Sequence, residues 1–249
     1  MRNKTLTALI AIGFVSIVSS RAQAQTTAGA LQLGLGTNLL AYSSDTISEH
    51  QVLNNGTTIE YKGIEQNTTW GLANRNGIYL DAGYGITDML VLGGMLQLGS
   101  WSNTTGDRDL GNNNGTAQSN EHRFTLFLGP KLDVMFLPDS VVRPFVGVAL
   151  GLVRHTYTIE NTTHNAAGAT ITATPRDRGV TGAGLLARAG IRWFLTPGFS
   201  LDPAFVFGFS SATGTMVIPP NGQTNGHFDT GVTGYTVGLQ MAFSGWIGL

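Results

Sequence analysis

Between Phe124 and Phe136 every second residue is apolar: Phe124, Leu126, Leu128, Pro130, Leu132, Val134 and Phe136. Thr125, Phe127, Gly129, Lys131, Asp133 and Met135 fill the gaps. A period of two places alternate side chains on opposite faces of an extended chain, so this run is a strand with one apolar face. It exceeds the usual globular strand of about 5–6 residues and is long enough to cross a bilayer, which takes about 9–11 tilted residues. No helical stripe competes with it after the first segment of the chain.

The same alternation recurs along the chain and predicts an all-β fold of eight strands. Leu31, Leu33, Leu35, Thr37 and Leu39 form the first; Ile78, Leu80, Ala82, Tyr84 and Ile86 the second; Leu90, Leu92, Leu96 and Leu98 the third. The Phe124 run is the fourth, and Val146, Val148, Leu150 and Leu152 are the fifth. Leu185, Ala187, Ala189, Ile191, Trp193 and Leu195 form the sixth; Phe199, Leu201, Pro203, Phe205, Phe207 and Phe209 the seventh; Tyr235, Val237, Leu239, Met241 and Phe243 the eighth. The opposite faces are rich in glycine and small residues, which suits a narrow interior better than a water-facing surface. The apolar faces therefore point outward to lipid, the reverse of a soluble barrel. Composition agrees: 42% of residues are hydrophobic, only 12% are charged, and glycine numbers 34, whereas a soluble domain carries about 25% charged residues.

Arg2 and Lys4 precede an apolar stretch from Leu6 to Val18, followed by Ala22-Gln23-Ala24. This is the layout of a secretory signal cut after Ala24, and the stretch is too short for a spanning helix. The expected organisation is a signal peptide over residues 1–24 and a barrel over 25–249. Loss of Arg2, Lys4 and Arg21 leaves 11 of the 14 basic residues against 15 acidic ones, a formal charge of −4, so no affinity for nucleic acid is implied. The chain has no cysteine, which excludes a disulfide scaffold, a cysteine zinc site and a thiol nucleophile.

The connections alternate. Thr87-Asp88-Met89, Pro138-Asp139-Ser140 and Thr196-Pro197-Gly198 are short, whereas the stretches 44–76, 102–122, 160–179 and 210–231 read as long loops rich in Asn, Thr, Gly and Ser. Short turns at one end and long loops at the other are the outer-membrane arrangement. With an even strand number, both termini fall on the short-turn, periplasmic side. Trp193, Phe199 and Trp246 are then expected at the inner rim, and Trp101, Phe124, Phe209 and Tyr235 at the outer rim, as two aromatic interface girdles.

With this signal, strand count, loop alternation and last strand (Tyr235, Val237, Leu239, Met241, Phe243, Ile247 and Leu249 on one parity), the chain resembles the small eight-stranded outer-membrane β-barrel family, of which the OmpA transmembrane domain is the familiar member. The likeness covers residues 28–249. Where that family ends on an aromatic residue, this chain ends on Leu249. No peptidoglycan-binding domain is expected after the barrel. The resemblance implies an eight-stranded antiparallel transmembrane up-and-down barrel in the bacterial outer membrane. Its partners would be outer-membrane lipid, lipopolysaccharide and the barrel-assembly machinery.

An eight-stranded barrel is filled by its own side chains. The inward charges are expected to be Asp81, Lys131, Asp133, Arg188, Arg192 and Asp202, three acidic and three basic. A buried charge needs a partner, so this set predicts a salt-bridged plug. A three-residue turn at 196–198 would set Leu195 opposite Phe199 and Arg192 opposite Asp202. No cofactor, metal or catalytic residue is assigned. Of the histidines, His50, His164 and His227 fall in predicted loops, His155 is the nearest approach to a His-x-Ser arrangement, and no two lie two or four apart on one element. The expected function is a non-enzymatic structural or surface-interaction role carried by the long loops. The alternative is a low-conductance porin or a carrier for small or apolar solutes.

Overall fold

The computed structural model describes residues 27–52, 58–70, 77–109, 116–164, 170–172, 176–217 and 227–248. The expected signal peptide, residues 1–24, and the final Leu249 lie outside the described residues, as do the stretches 53–57, 71–76, 110–115 and 218–226.

Ten strand segments follow one another: β1 (Leu31–Val52), β2 (Thr58–Trp70), β3 (Ile78–Gly85), β4 (Leu90–Asp109), β5 (Thr116–Met135), β6 (Val142–His164), β7 (Thr170–Thr172), β8 (Arg176–Thr196), β9 (Phe199–Val217) and β10 (His227–Ile247). Every ladder is antiparallel, and β1 pairs with β10 from Leu31↔Ile247 to Gln51↔Phe228, which closes the sheet on itself. Ten segments make eight strands because two strands are interrupted. β2 and β3 both pair with the same edge of β1, from Leu40↔Trp70 upward and from Thr37↔Ile78 downward. β7 and β8 likewise share one edge of β6, at Thr162↔Thr172 and from Ile159↔Arg176. The result is an eight-stranded up-and-down β-barrel with no free ladder edge in its lower half.

The alternation of apolar residues sets which face looks where. Leu33, Leu35, Leu92, Leu128, Leu150, Leu152, Phe205 and Phe243 are each half or more exposed on the outside. So broad an apolar surface is not left to water. The band runs from Val142 to Leu152 on β6 and from Phe199 to Phe209 on β9, about 11 residues, which is the length a tilted strand needs to cross a bilayer. This is a transmembrane barrel, apolar outside and polar within.

The strands are longer than the sequence pattern suggests. β6 has 23 residues and β1 has 22, so roughly half of each continues beyond the band as paired hairpin. The stretches expected as loops are therefore largely strand. Thr, Asn, Ser and Gln read as loop composition, but β-branched threonine is a good strand former, and once a neighbouring strand supplies main-chain partners no apolar face is needed. His50, His164 and His227, expected in loops, lie in β1, β6 and β10 for the same reason. His50 stands opposite Glu60, with Nε2 and Oε1 3.8 Å apart.

The short end is tightly tied. Asp88 Oδ1 accepts from the main-chain N–H of Thr27 (2.8 Å) and Ala28 (3.1 Å), fastening the start of the described chain to the β3–β4 turn. The β8–β9 connection departs from expectation: Thr196, not Leu195, pairs with Phe199, and a bulge lies between Phe194 and Thr196. The bulge adds the residue that the shorter turn removes, so the register below is the same, with Trp193 opposite Leu201.

Placing a cation in the lipid-facing band tests its depth. Phe205→Arg is expected to destabilise the folded barrel by about 2–4 kcal/mol, and Ser211→Arg, above the band, by about 1 kcal/mol or less. Urea titration in lipid vesicles, with the heat-dependent gel shift reporting the folded fraction, measures both.

Candidate functional site: the barrel interior

Closure of eight strands leaves a lumen that side chains can fill, and they do so in layers. Nearest the short-turn end lies an apolar floor of Ala30, Val91, Met135, Phe145, Phe194, Ala204 and Trp246. Phe194 and Trp246 pack with ring centroids 5.5 Å apart, and Trp246 Nε1 donates to Ser200 Oγ at 3.0 Å. Trp246 is thus 5% exposed and inside the barrel, which corrects its expected place in the interface girdle. Its parity decides this: Phe243 and Ile247 point out, so Trp246 between them points in. Trp193, Phe124, Phe209 and Tyr235 do face outward near the ends of the band, and Phe199 stacks on Phe243 at 6.0 Å. Trp101 stands opposite Arg123 in the β4–β5 ladder, and its side chain lies outside the described ones.

Above the floor the six expected charges meet in one layer, all buried. Lys131 Nζ donates to Asp81 Oδ2 at 2.5 Å and lies 3.4 Å from Asp133 Oδ2. Arg188 Nη2 donates to both oxygens of Asp133, at 2.8 and 3.1 Å, and its Nη1 is 3.6 Å from Asp81. Arg192 Nε donates to Asp202 Oδ2 at 3.0 Å, while its Nη2 reaches Asp133 at 3.5 Å. Neutral groups extend the network: Lys131 also donates to Gln32 Oε1 (3.1 Å), Gln32 Nε2 to Ser244 Oγ (3.1 Å), and Ser244 Oγ to Asp202 Oδ2 (2.8 Å). Arg192 is further held with its guanidinium 5.0 Å from the centroids of both Phe145 and Trp246. Three carboxylates and three cations balance, as burial of charge in a low-dielectric site requires. The carboxylates fit because Gly34 and Gly147 carry no side chain; a methyl at either would overlap an oxygen of Asp81 or Asp133.

The sequence pattern as read did not single out Arg143. It is fully buried in the floor, lies over Phe194 at 4.7 Å and donates from Nε to Ser140 O at 3.0 Å. The parity of Phe145 extended back by one step identifies it; the apolar run taken as the strand began later, at Val146.

A second apolar layer, Tyr79, Met95, Phe127, Ala149, Val153, Leu186, Val206 and Ala242, covers the charges from above. Beyond it the lumen widens into a cavity of about 140 Å³ that reaches up to Ile47, Thr230 and Val232. Polar residues enter its wall: Asn38, Gln97, Thr125 and His155, with Thr125 Oγ1 and His155 Nδ1 3.1 Å apart. Arg123 lies 4.3 Å over the Tyr157 ring at the same level. Among the described residues no cluster of three or more His, Asp or Glu could hold a metal ion.

A closed antiparallel sheet, apolar outside and with its charges sealed inside, defines a small outer-membrane-type β-barrel. Solved structures similar to the chain include the outer membrane protein OprG from Pseudomonas aeruginosa (14% identity, 91% of this chain and 100% of that one, TM-score 0.49). They also include the outer membrane protease OmpT from Escherichia coli (7%, 90% and 98%, TM-score 0.45) and Ail, the attachment invasion locus protein of Yersinia pestis (11%, 86% and 99%, TM-score 0.31). No protein-family model and no curated protein sequence matches the chain.

Asp133 touches all three cations of the network, so its loss leaves the most charge uncompensated. Asp133→Ala is expected to cost about 3–5 kcal/mol of folding stability, whereas exchanging a buried pair for apolar residues, as in Arg192→Met with Asp202→Leu, is expected to be closer to neutral. Urea unfolding of the refolded variants ranks the two.

Proposed function

We propose that the chain is a non-enzymatic, non-conducting integral protein of the bacterial outer membrane, whose projecting hairpins act at the cell surface. The observation that carries this reading is the layered interior. A balanced layer of ion pairs lies between two apolar layers, among them Phe194 and Trp246 below and Phe127 and Leu186 above. Such a stack leaves no continuous column of water for an ion, and its charges are spent on one another rather than on a solute. A porin of this size would instead need unpaired polar groups along an open lumen.

The strand lengths support the surface role. β4, β5, β6, β8 and β10 each have 20 or more residues, about twice what the bilayer needs. The excess lies at one end, where paired hairpins rich in Thr, Asn and Ser stand clear of the lipid. With lipopolysaccharide and lipid around the band and both termini on the periplasmic side, that end faces the exterior. Residues 1–24 serve as the secretory signal, and the barrel-assembly machinery inserts the mature chain.

Planar-bilayer recording on the refolded mature chain tests the reading. The expected outcome is a silent membrane, with discrete openings appearing only when the plug is broken, as in Asp133→Ala or Arg188→Ala. Reproducible channels in the wild-type chain at the same protein density would replace this reading with a transport one.

A further inference from the structure

We infer that the lumen above the second apolar layer binds a small zwitterion, an α-amino acid with an apolar side chain in chemical class. Its ammonium group meets Asp45, its carboxylate meets Arg123 and His155, and its side chain rests on Phe127 and Val153. This goes beyond a surface role for the hairpins and holds whether or not the lumen passes current.

Three cross-strand pairs build one wall of the cavity. Phe127 stands opposite Val153 in the β5–β6 ladder, Thr125 opposite His155 two residues higher, and Arg123 opposite Tyr157 two residues higher again. All six line the cavity. The wall therefore passes from apolar to cationic within four residues of strand, about 13 Å of chain. Thr125 Oγ1 and His155 Nδ1 lie 3.1 Å apart, which fixes the imidazole. The Arg123 guanidinium stacks 4.3 Å over the Tyr157 ring, an arrangement that leaves the edge of its N–H fork available to a carboxylate.

The register brings an acid to the opposite wall at the same height. The ladder row that leaves β1 at Thr37 passes Arg154 on β6, halfway round, and returns to β1 at Ser48, eleven residues higher. The level of Arg154 thus falls near Ser43 across the lumen. The level of Arg123, which is paired with Tyr157 and lies one strand nearer, falls near Asp45. Asp45 lines the cavity and lies over Gly234, where an added methyl would overlap its carboxylate oxygen.

Of the Asp, Glu, Lys and Arg side chains, the described lining of the cavity holds these two, one of each sign. Eight strands about 4.8 Å apart and tilted by about 40° close into a ring about 16 Å across. Extended aspartate and arginine side chains reach about 4 and 7 Å, so they do not fill that width together. A lone anion drawn to Arg123 would face Asp45, and a lone cation drawn to Asp45 would face Arg123. A molecule carrying both charges satisfies both walls through charge-assisted hydrogen bonds. Below it, Phe127 and Val153, 6% and 4% exposed, take the apolar side chain out of water. The cavity, about 140 Å³, has room for on the order of ten water molecules, and a solute of leucine's size replaces about half of them.

The test uses the full mature chain in lipid nanodiscs and tritiated leucine, counted by scintillation proximity with empty nanodiscs subtracted. The expected result is saturable binding at one site. Unlabelled glycine, 4-methylpentanoate and 3-methylbutylamine, which lack the side chain, the amine and the carboxylate in turn, should each compete about tenfold or more less well than leucine. Asp45→Asn should weaken leucine but not 4-methylpentanoate, and Arg123→Gln should weaken leucine but not 3-methylbutylamine. The heat-dependent gel shift confirms folding of each variant. If a variant fails to fold, the competition series on the wild-type chain decides. Uptake no greater than in empty nanodiscs, competition by the acid or the amine equal to that of leucine, or folded variants that bind leucine as the wild type does, would overturn the proposal.

Discussion

Hydrocarbon offers no hydrogen bonds to a polypeptide, and the architecture depends on that one fact. Each strand in the membrane must give all its main-chain N–H and C=O groups to neighbours, so the sheet can have no edge within the lipid. The β1–β10 ladder, running from Leu31↔Ile247 to Gln51↔Phe228, satisfies the requirement. Closure at eight strands then fixes a narrow bore. The bore in turn decides which side chains fit inside and obliges the charged ones to pair.

The interior resolves this crowding by stratification. Glycines at positions such as 34 and 147 cede space to carboxylates, and the carboxylates of β3, β5 and β9 gather cations from β5 and β8. Aromatic and aliphatic layers above and below keep water away from the network, which strengthens each ion pair and raises the penalty for losing a partner. The upper layer also forms the floor of the cavity, so the plug and the pocket share Phe127, Leu186 and Val206.

Outside the bilayer the constraint changes. The hairpins above the band need no apolar face, and their ladders rest on main-chain pairing between long neighbours such as β5 and β6, which stay in register from Met135↔Phe145 to Thr116↔His164 apart from a short gap around Gly129 and Pro130. For that reason the upper strands escaped a reading based on alternating hydrophobicity, which ended the strands where the lipid ends. The same reading placed Trp246 at the rim because it weighed residue type and position but not parity.

The sequence by itself determined the strands in the membrane, their lipid-facing sides and six of the charges inside, Arg143 being the one missed, because lipid exposure imposes a period of two and parity then assigns the side chains within each recognised run. The Arg192–Asp202 pairing was also within reach, since register across a tight turn is local. Tertiary structure alone decided the rest. The gathering of Asp81, Lys131, Asp133 and Arg188 depends on shear between strands distant in the chain. The merging of β2 with β3 and of β7 with β8 into single interrupted strands depends on which edge each segment finds. The cavity depends on how far the packed layers rise before the walls diverge, a sum over many side-chain volumes that no local pattern encodes.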